Sequence, residues 1–386
     1  MSNKLAVALT TTFTLVDQFQ DAISSSSQQN PASNSNSNDD NQAKDNKDAL
    51  PLLIASSTAL RSQVTKLSLL AITSPFTPSA VSTVLTALNE SVLPSLVTAA
   101  LLVTPSEFTK AFHAEIQILT KTTLKELSSL IGEVKSVADK KEAQKEKKEE
   151  DLTELEKNVV TVATGRVWDS CDVLVDIANK GVVGFVIRRV EEWRDLVRDA
   201  LQEIEEWDPD EDGDELFDDL LGDDGKNGSD HKDSGDDDDD DDDDDEEEDE
   251  DTAASHARKK STLRVLKPVA QVFPAIIANR LKNAGDAPVQ SSDGTRKLET
   301  LMAHLQNVPE NIDEVAGALY EADWERHTEF TRKVKDEAAK AVGLLASGWK
   351  TTDGQAVEDK FTVWSKTWLK VVDEVSKSVE GDTKSG

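Results

Sequence analysis

Residues 208–251 form an acidic segment that constrains the fold of this chain more than any other feature. The segment contains 28 Asp and Glu residues against two lysines, and every residue from Asp236 to Asp251 is acidic. Neighbouring carboxylates repel one another, and this run offers no apolar side chain for a core to bury. We therefore expect residues 208–251 to be disordered and to separate two folded parts.

The two parts that flank the acidic segment are each long enough for a core of their own. Of the 386 residues, 207 precede the segment and 135 follow it, and both lengths are typical of single domains. The segment carries −26 of the net charge of −33, which leaves −7 for the rest of the chain. We predict domains at 1–207 and 252–386.

The charge and the hydropathy pattern make two classes of partner unfavourable. Phosphate contacts need a basic face, so we expect no direct binding to DNA or RNA. Anionic membrane surfaces are disfavoured for the same reason. We also see no 18-residue block of continuous apolar residues that would predict a membrane span. The apolar residues of 1–23 are interrupted by polar ones, which predicts an amphipathic helix and not a signal peptide.

Apolar residues recur at steps of three and four along both parts of the chain, which is the spacing of one helix face. No segment shows the two-residue alternation of a half-buried strand. We predict an all-α fold with two helical-bundle domains and a flexible Ser/Asn-rich loop at 24–48. The face of the first helix consists of Leu5, Leu9, Phe13, Val16, Phe19 and Ile23.

Two details of the helix pattern make sharper predictions. After the Lys/Glu run that ends at Glu150, we expect a core face formed by Leu152, Leu155, Val159 and Val162. Further along, we expect one helix to end at Pro309, because proline lacks the backbone donor that a helix interior needs. Asn311 would then cap the next helix.

The most regular apolar spacing lies just before the acidic segment, where the steps alternate between four and three. This heptad spacing suits a seam that packs along a partner helix. Packing within the chain's own bundle is the alternative, since the stripe lasts only three heptads. The candidate seam consists of Val186, Val190, Trp193, Val197, Ile204 and Trp207, with Ala200 completing the alternation between Val197 and Ile204.

The sequence contains no recognisable catalytic motif. Its five histidines fall outside any metal-protease spacing, and it has neither a phosphate-binding glycine loop nor a nucleophile elbow. The single cysteine, Cys171, precedes Asp172, and we expect a buried thiol whose pKa is raised. We therefore predict a non-enzymatic protein without cofactor or specific metal site.

The acidic segment has two readings. It keeps the flanking domains soluble and apart, or it attracts basic proteins such as histones. Ser229 and Ser234 precede acidic residues, so they are candidate phosphorylation sites for an acid-directed kinase. Arg258, Lys259 and Lys260 form a short basic cluster that is compatible with nuclear import.

Several local motifs together resemble the cyclin-D-binding protein family, whose members are GCIP-like, Id-like helix-loop-helix proteins without a basic region. The similarity rests on 167–171 (VWDSC), a Glu-rich helix that ends at Asp208-Pro209, the acidic insert, 313–316 (DEVA) and Tyr320. The long aspartate run and the loop at 24–48 depart from the family pattern.

The resemblance implies an all-helical protein of nucleus and cytoplasm that binds a cyclin or a helix-loop-helix partner and restrains cell-cycle progression. A helix without an adjoining basic region can pair with a partner while adding no phosphate contacts to DNA. The resemblance therefore implies sequestration. An acidic chaperone that binds basic proteins through residues 208–251 is the alternative.

Overall fold

The computed structural model of this chain is built from α-helices. It describes residues 3–26, 48–143, 151–210, 245–349 and 359–382. These ranges contain no β-strand, which confirms the all-α prediction. The α-helices are α1 (Asn3–Ser26), α2 (Ala49–Ile72), α3 (Pro78–Ala87), α4 (Leu93–Leu102), α5 (Lys110–Ala143), α6 (Glu154–Glu206), α7 (Asp245–Ala270), α8 (Val272–Ile276), α9 (Ser292–Tyr320), α10 (Trp324–Leu344) and α11 (Lys360–Asp382).

The two polar segments of the sequence lie largely outside the described residues. These are residues 27–47 of the Ser/Asn-rich loop and 211–244 of the acidic segment. Helix α7 begins at Asp245, inside the acidic run, and the boundary at residue 251 stays a prediction. Glutamate has good helix propensity, and carboxylates are favourable at the positive end of the helix dipole.

Contacts among the helices divide the chain into two compact units. The first consists of residues 1–186 and 284–299, and the second of residues 187–283 and 300–386. This grouping differs from the two ranges predicted on either side of the acidic segment, because α6 contributes residues to both units. Independent folding of residues 1–207 stays a prediction.

In the first unit, α1 and α2 pack against α3, α4 and α5. The N-terminal part of α6 is attached to this group by side-chain contacts. The indole N–H of Trp168 donates to the hydroxyl of Thr65 on α2 at 3.1 Å. The ring of Phe185 meets Phe112 of α5 edge to face, with 5.5 Å between their centroids. A half-buried indole and a pair of buried phenyl rings thus attach α6 to α2 and α5.

In the second unit, α7 packs against α10 and α11, and a buried arginine ties α11 in place. Arg280 donates through Nε to the carbonyl of Leu345 at 2.8 Å, and its guanidinium binds both carboxylate oxygens of Asp359. Asp359 also accepts from the backbone N–H of Thr362 at 2.8 Å, next to the start of α11. The Arg280 guanidinium holds the pKa of Asp359 well below its usual range.

Helix α6 is interrupted at one glycine. Gly181 has φ 63° and ψ −169°, whereas the residues around it are helical. This backbone region is essentially reserved for glycine, because a Cβ atom there clashes with the neighbouring peptide groups. The glycine therefore permits a kink between two helical stretches of α6.

The prediction that a helix ends at Pro309 is wrong. Helix α9 continues to Tyr320 with Pro309 in its interior, so Asn311 is no cap. An interior proline costs about 3 kcal/mol because it removes one backbone hydrogen bond and crowds the preceding turn. Val308 and Val315 are nevertheless fully buried, and packing of this face on both sides of the proline offsets that cost.

One helical run in the described residues has the length and composition of a membrane span. It covers Pro78–Leu102, with a mean hydropathy of 1.4 over its most apolar window, and half of that window is buried within the structure. Core helices commonly have this composition. Polar residues such as Asn89 and Glu90 interrupt the run. The sequence therefore shows no continuous apolar block of 18 residues there.

Candidate protein-binding surface

The seam predicted before the acidic segment is mostly covered by the chain itself. Val186 belongs to the first unit and the other five residues to the second. Val190, Val197 and Ile204 are fully buried, whereas Trp193 and Trp207 are partly exposed. In this structure the aliphatic side of the seam is therefore occupied. Binding of a partner helix at this seam stays a prediction that would require displacement of its present neighbours.

The C-terminal end of α6 brings together residues from two of the motifs that carry the family resemblance. The rings of Trp207 and Tyr320 lie 5.0 Å apart, and the Tyr320 hydroxyl donates to Glu203 at 3.4 Å. Burial, with Glu203 nearby, raises the pKa of Tyr320 to about 12. Lys259 of α7 donates its amino group to the carbonyl of Trp207. The motif residues here stabilise helix packing within the second unit.

The remaining sequence-based candidates have different outcomes. Ser229 and Ser234 lie outside the described residues. Cys171 is fully buried, and burial raises the pKa of its thiol to about 12, with a smaller contribution from Asp172. This confirms the prediction of a buried thiol with a raised pKa.

The face of α6 predicted as core is exposed for most of its length. Leu152, just before the helix, is buried, but Leu155 is 72% exposed, Val159 40% and Val162 46%. The buried face lies about 100° away, one residue along the helix, and it consists of Val160, Ala163, Val167, Cys171 and Leu174. Three large aliphatic side chains with the spacing of one helix face thus meet solvent.

A capping box marks where α6 begins. The backbone N–H of Thr153 donates to the Glu156 carboxylate at 2.8 Å, and the N–H of Glu156 lies 3.3 Å from the Thr153 hydroxyl. Such a pair satisfies donors that the first helical turn leaves free. The Thr-x-x-Glu spacing at 153–156 is a sequence signal for the start of the helix. It does not indicate which of the two aliphatic faces of α6 is buried.

The exposed aliphatic face borders a groove between α5 and α6. The groove has a volume of about 230 Å³, and its apolar lining is Val159, Val162 and Ala163. Its polar lining comes from Ser129 and Glu133 of α5 and from Asn158 and Arg166 of α6. Apolar lining with a few charged groups at the edge is typical of a surface that binds an apolar side chain or helix.

Histidine and carboxylate groups also meet in the second unit. His304 Nδ1 lies 2.6 Å from Glu337 Oε2, in a contact that joins α9 to α10. His256 lies 3.0 Å from Asp210, and with Asp208 these groups could approach one ion, but all three are exposed. Exposed acidic groups commonly occur without a bound metal. These contacts are explained by helix packing and surface charge.

A larger open groove lies in the first unit between α1 and the run that follows α3. Its volume is about 440 Å³, and most of its lining is polar in residue type, including Lys4, Thr86 and Glu90. Asn89 Oδ1 is buried there without a hydrogen-bond partner among the described residues. Neither a convergent set of charges nor a helical-partner face accompanies this groove.

Together these features define an all-helical protein whose described residues present an aliphatic helix face beside a groove. Comparison with known proteins adds a family resemblance over part of the chain. Residues 52–210 match the family model described as Grap2 and cyclin-D-interacting, N-terminal. Over this range, which begins in α2 and extends just past α6, the chain is GCIP-like, and the sequence-based resemblance is confirmed. No curated protein matches the chain.

Proposed function

We propose that this chain is a non-enzymatic regulator that binds a D-type cyclin through its helical surfaces. The observation that carries the proposal is the match of residues 52–210 to a family model whose description names cyclin-D interaction. The exposed aliphatic face of α6 lies within this range and provides apolar area for protein binding. Regulation then consists of holding the cyclin, or a helix-loop-helix partner, away from its other complexes.

The physical chemistry of the chain favours sequestration over direct action on DNA, and the proposed setting in cytoplasm and nucleus follows from the family resemblance. The net charge of −33 opposes phosphate contact. A protein that occupies a partner without contributing a basic region withholds that partner from DNA. Sequestration requires that the chain bind its partner tightly and be present in sufficient amount. It requires no chemical reaction.

Calorimetric binding of the full chain to a purified D-type cyclin tests the proposal. The matched comparison is a variant in which each residue of Asp236–Asp244 is replaced by Asn, which keeps the chain length and removes charge. We expect both proteins to bind the cyclin with similar affinity at about 0.05 M and 0.3 M salt, because buried apolar contacts are little screened. Absence of binding by the unsubstituted chain would contradict the proposed function.

A second candidate function rests on the concentration of charge in residues 208–251, which carry −26. Such a segment attracts basic proteins through long-range electrostatics. If the chain is an acidic chaperone, core histones should bind the full chain at low salt, bind the Asn variant more weakly, and dissociate as salt increases. Histone affinity that is equal in the two proteins would exclude this function for the acidic run.

A further inference from the structure

Three aliphatic side chains of α6 form one continuous exposed face. Leu155, Val159 and Val162 are separated by four and three residues, so they lie on the same side of the helix. Their exposed fractions are 72%, 40% and 46%. Among the large apolar side chains exposed in the described ranges, no other three share a helix at this spacing. Burial of this face by a partner would be favourable.

The face leads into a groove that is shaped for a partner's side chains. Val159 and Val162 line the groove of about 230 Å³ together with the buried Ala163. The small residue leaves room at the floor, and the opposite wall is formed by α5. A void of this size can hold one or two aliphatic side chains.

Two charged residues of opposite sign stand in the lining of the groove. Glu133 projects from α5 and Arg166 from α6. Within the described ranges neither residue takes part in an ion pair, whereas the neighbouring Lys140 of α5 and Glu156 of α6 pair with each other. The groove therefore offers an unpaired acid and an unpaired base to a partner of complementary charge.

The area of the exposed face indicates which kind of partner can bind it. The three aliphatic residues span seven helical steps, or about 10 Å along the helix, which matches two turns of a partner helix. A stable dimer of two copies needs about 800 Å² from each partner, more than three side chains and a groove of this volume supply. The i, i+4, i+7 spacing of Leu155, Val159 and Val162 matches the spacing by which an amphipathic helix is laid into an apolar groove.

We propose that this groove, defined by Leu155, Val159, Val162, Glu133 and Arg166, docks an amphipathic helix of the cyclin-type partner. The inference rests on the proposed function and adds the surface that performs it. The bound helix inserts aliphatic residues against Val159 and Val162. It places a basic residue toward Glu133 and an acidic residue toward Arg166.

The test is calorimetric binding of a purified D-type cyclin to the full chain and to three variants. Val159→Ser and Val162→Ser are combined in one variant, which we expect to bind about tenfold to a hundredfold more weakly, the range for loss of central apolar anchors. Glu133→Lys should weaken binding by roughly three- to tenfold, because it places like charge against the partner's base. The control is Val371→Ser on α11, with a similar exposed fraction of 42%, and it should change affinity less than about twofold.

The outcomes separate the inference from the proposed function. Cyclin binding that is unchanged in the double variant and in Glu133→Lys overturns the docking groove and leaves the function standing. Failure of the unsubstituted chain to bind cyclin overturns both. If sedimentation shows a dimer that the double variant dissociates, the occupant is a second copy and the assignment to a partner helix is wrong. Circular dichroism of each variant verifies its helical content, and Glu133→Lys keeps the test decisive if the double variant unfolds.

Discussion

At the scale of single residues, Gly181 is the position where the backbone itself restricts the amino acid. Its φ of 63° and ψ of −169° are accessible to glycine alone without strain. We expect Gly181→Ala to lower the free energy of unfolding by about 1–3 kcal/mol, measured by urea denaturation of the full chain. The matched control is Gly165→Ala on the same helix, where an added Cβ meets no atom within 4 Å.

The control substitution should have the opposite sign. Gly165 lies in the helical part of α6, and alanine there should raise the stability by about 0.4–1 kcal/mol, because it reduces the freedom of the unfolded chain. Two destabilising alanines would mean that α6 tolerates no added methyl group, and the backbone explanation for Gly181 would fail.

His327 is the residue at which stability should depend on pH. Its Nε2 lies 2.7 Å from the Thr262 hydroxyl, and Nδ1 is buried without a partner among the described residues. Burial, with a smaller contribution from Arg258, lowers the pKa of His327 from 6.5 to about 4. The unfolded chain therefore binds this proton at a higher pH than the folded chain does. The contribution is fully present above pH 6.5 and is lost as the pH falls toward 4, by about 3 kcal/mol in total.

The measurement is the free energy of unfolding at pH 7 and pH 4.5, for the native chain and for His327→Gln. The glutamine keeps a donor near Thr262 and cannot titrate in this range, so the loss of stability between the two pH values should be smaller. Equal pH dependence in the two proteins would contradict the role of His327.

At the scale of elements, α11 depends on an ion pair between a buried arginine and a half-exposed aspartate. Arg280 is 4% exposed and connects the carbonyl of Leu345 to the carboxylate of Asp359, which is 44% exposed. Asp359→Asn should leave the guanidinium buried without its counter-charge, which costs about 1–3 kcal/mol because solvent reaches the aspartate side of the pair. Hydrogen exchange of residues 360–382 should accelerate. The control Asp293→Asn breaks the exposed pair with Arg296 and should cost less than about 1 kcal/mol. Equal effects would show that burial of Arg280 does not matter.

The helix pattern predicted which segments are helical better than it predicted which side of a helix is buried. The stripe of α1 is buried at Leu5, Leu9 and Val16, as expected. The stripe at Leu155, Val159 and Val162 is exposed, because α6 carries a second aliphatic stripe that packs on its neighbours instead. A helix with aliphatic residues on two faces leaves the choice to tertiary packing. The candidate groove could not be predicted for the same reason.

At the scale of the whole molecule, charge and packing divide the chain in different places. The acidic segment carries most of the net charge, and its composition opposes folding. The division into compact units instead falls between Val186 and Ile187, inside α6, and again after residues 283 and 299. Glu203 and Trp207 precede the acidic segment in sequence. They nevertheless contact Tyr320, which follows that segment. Composition marks where a chain is polar, whereas apolar contacts decide which helices belong together.

The sequence by itself determined the helical class, the buried character of Cys171 and the resemblance that the match over residues 52–210 confirmed. Each of these follows from local periodicity, local environment or short motifs. Only the tertiary structure decided that the seam from Val190 to Ile204 is covered and that the face from Leu155 to Val162 is open. Both stripes have the spacing of a helix face, and spacing cannot show whether another helix of the same chain lies against it. That depends on contacts between residues far apart in sequence.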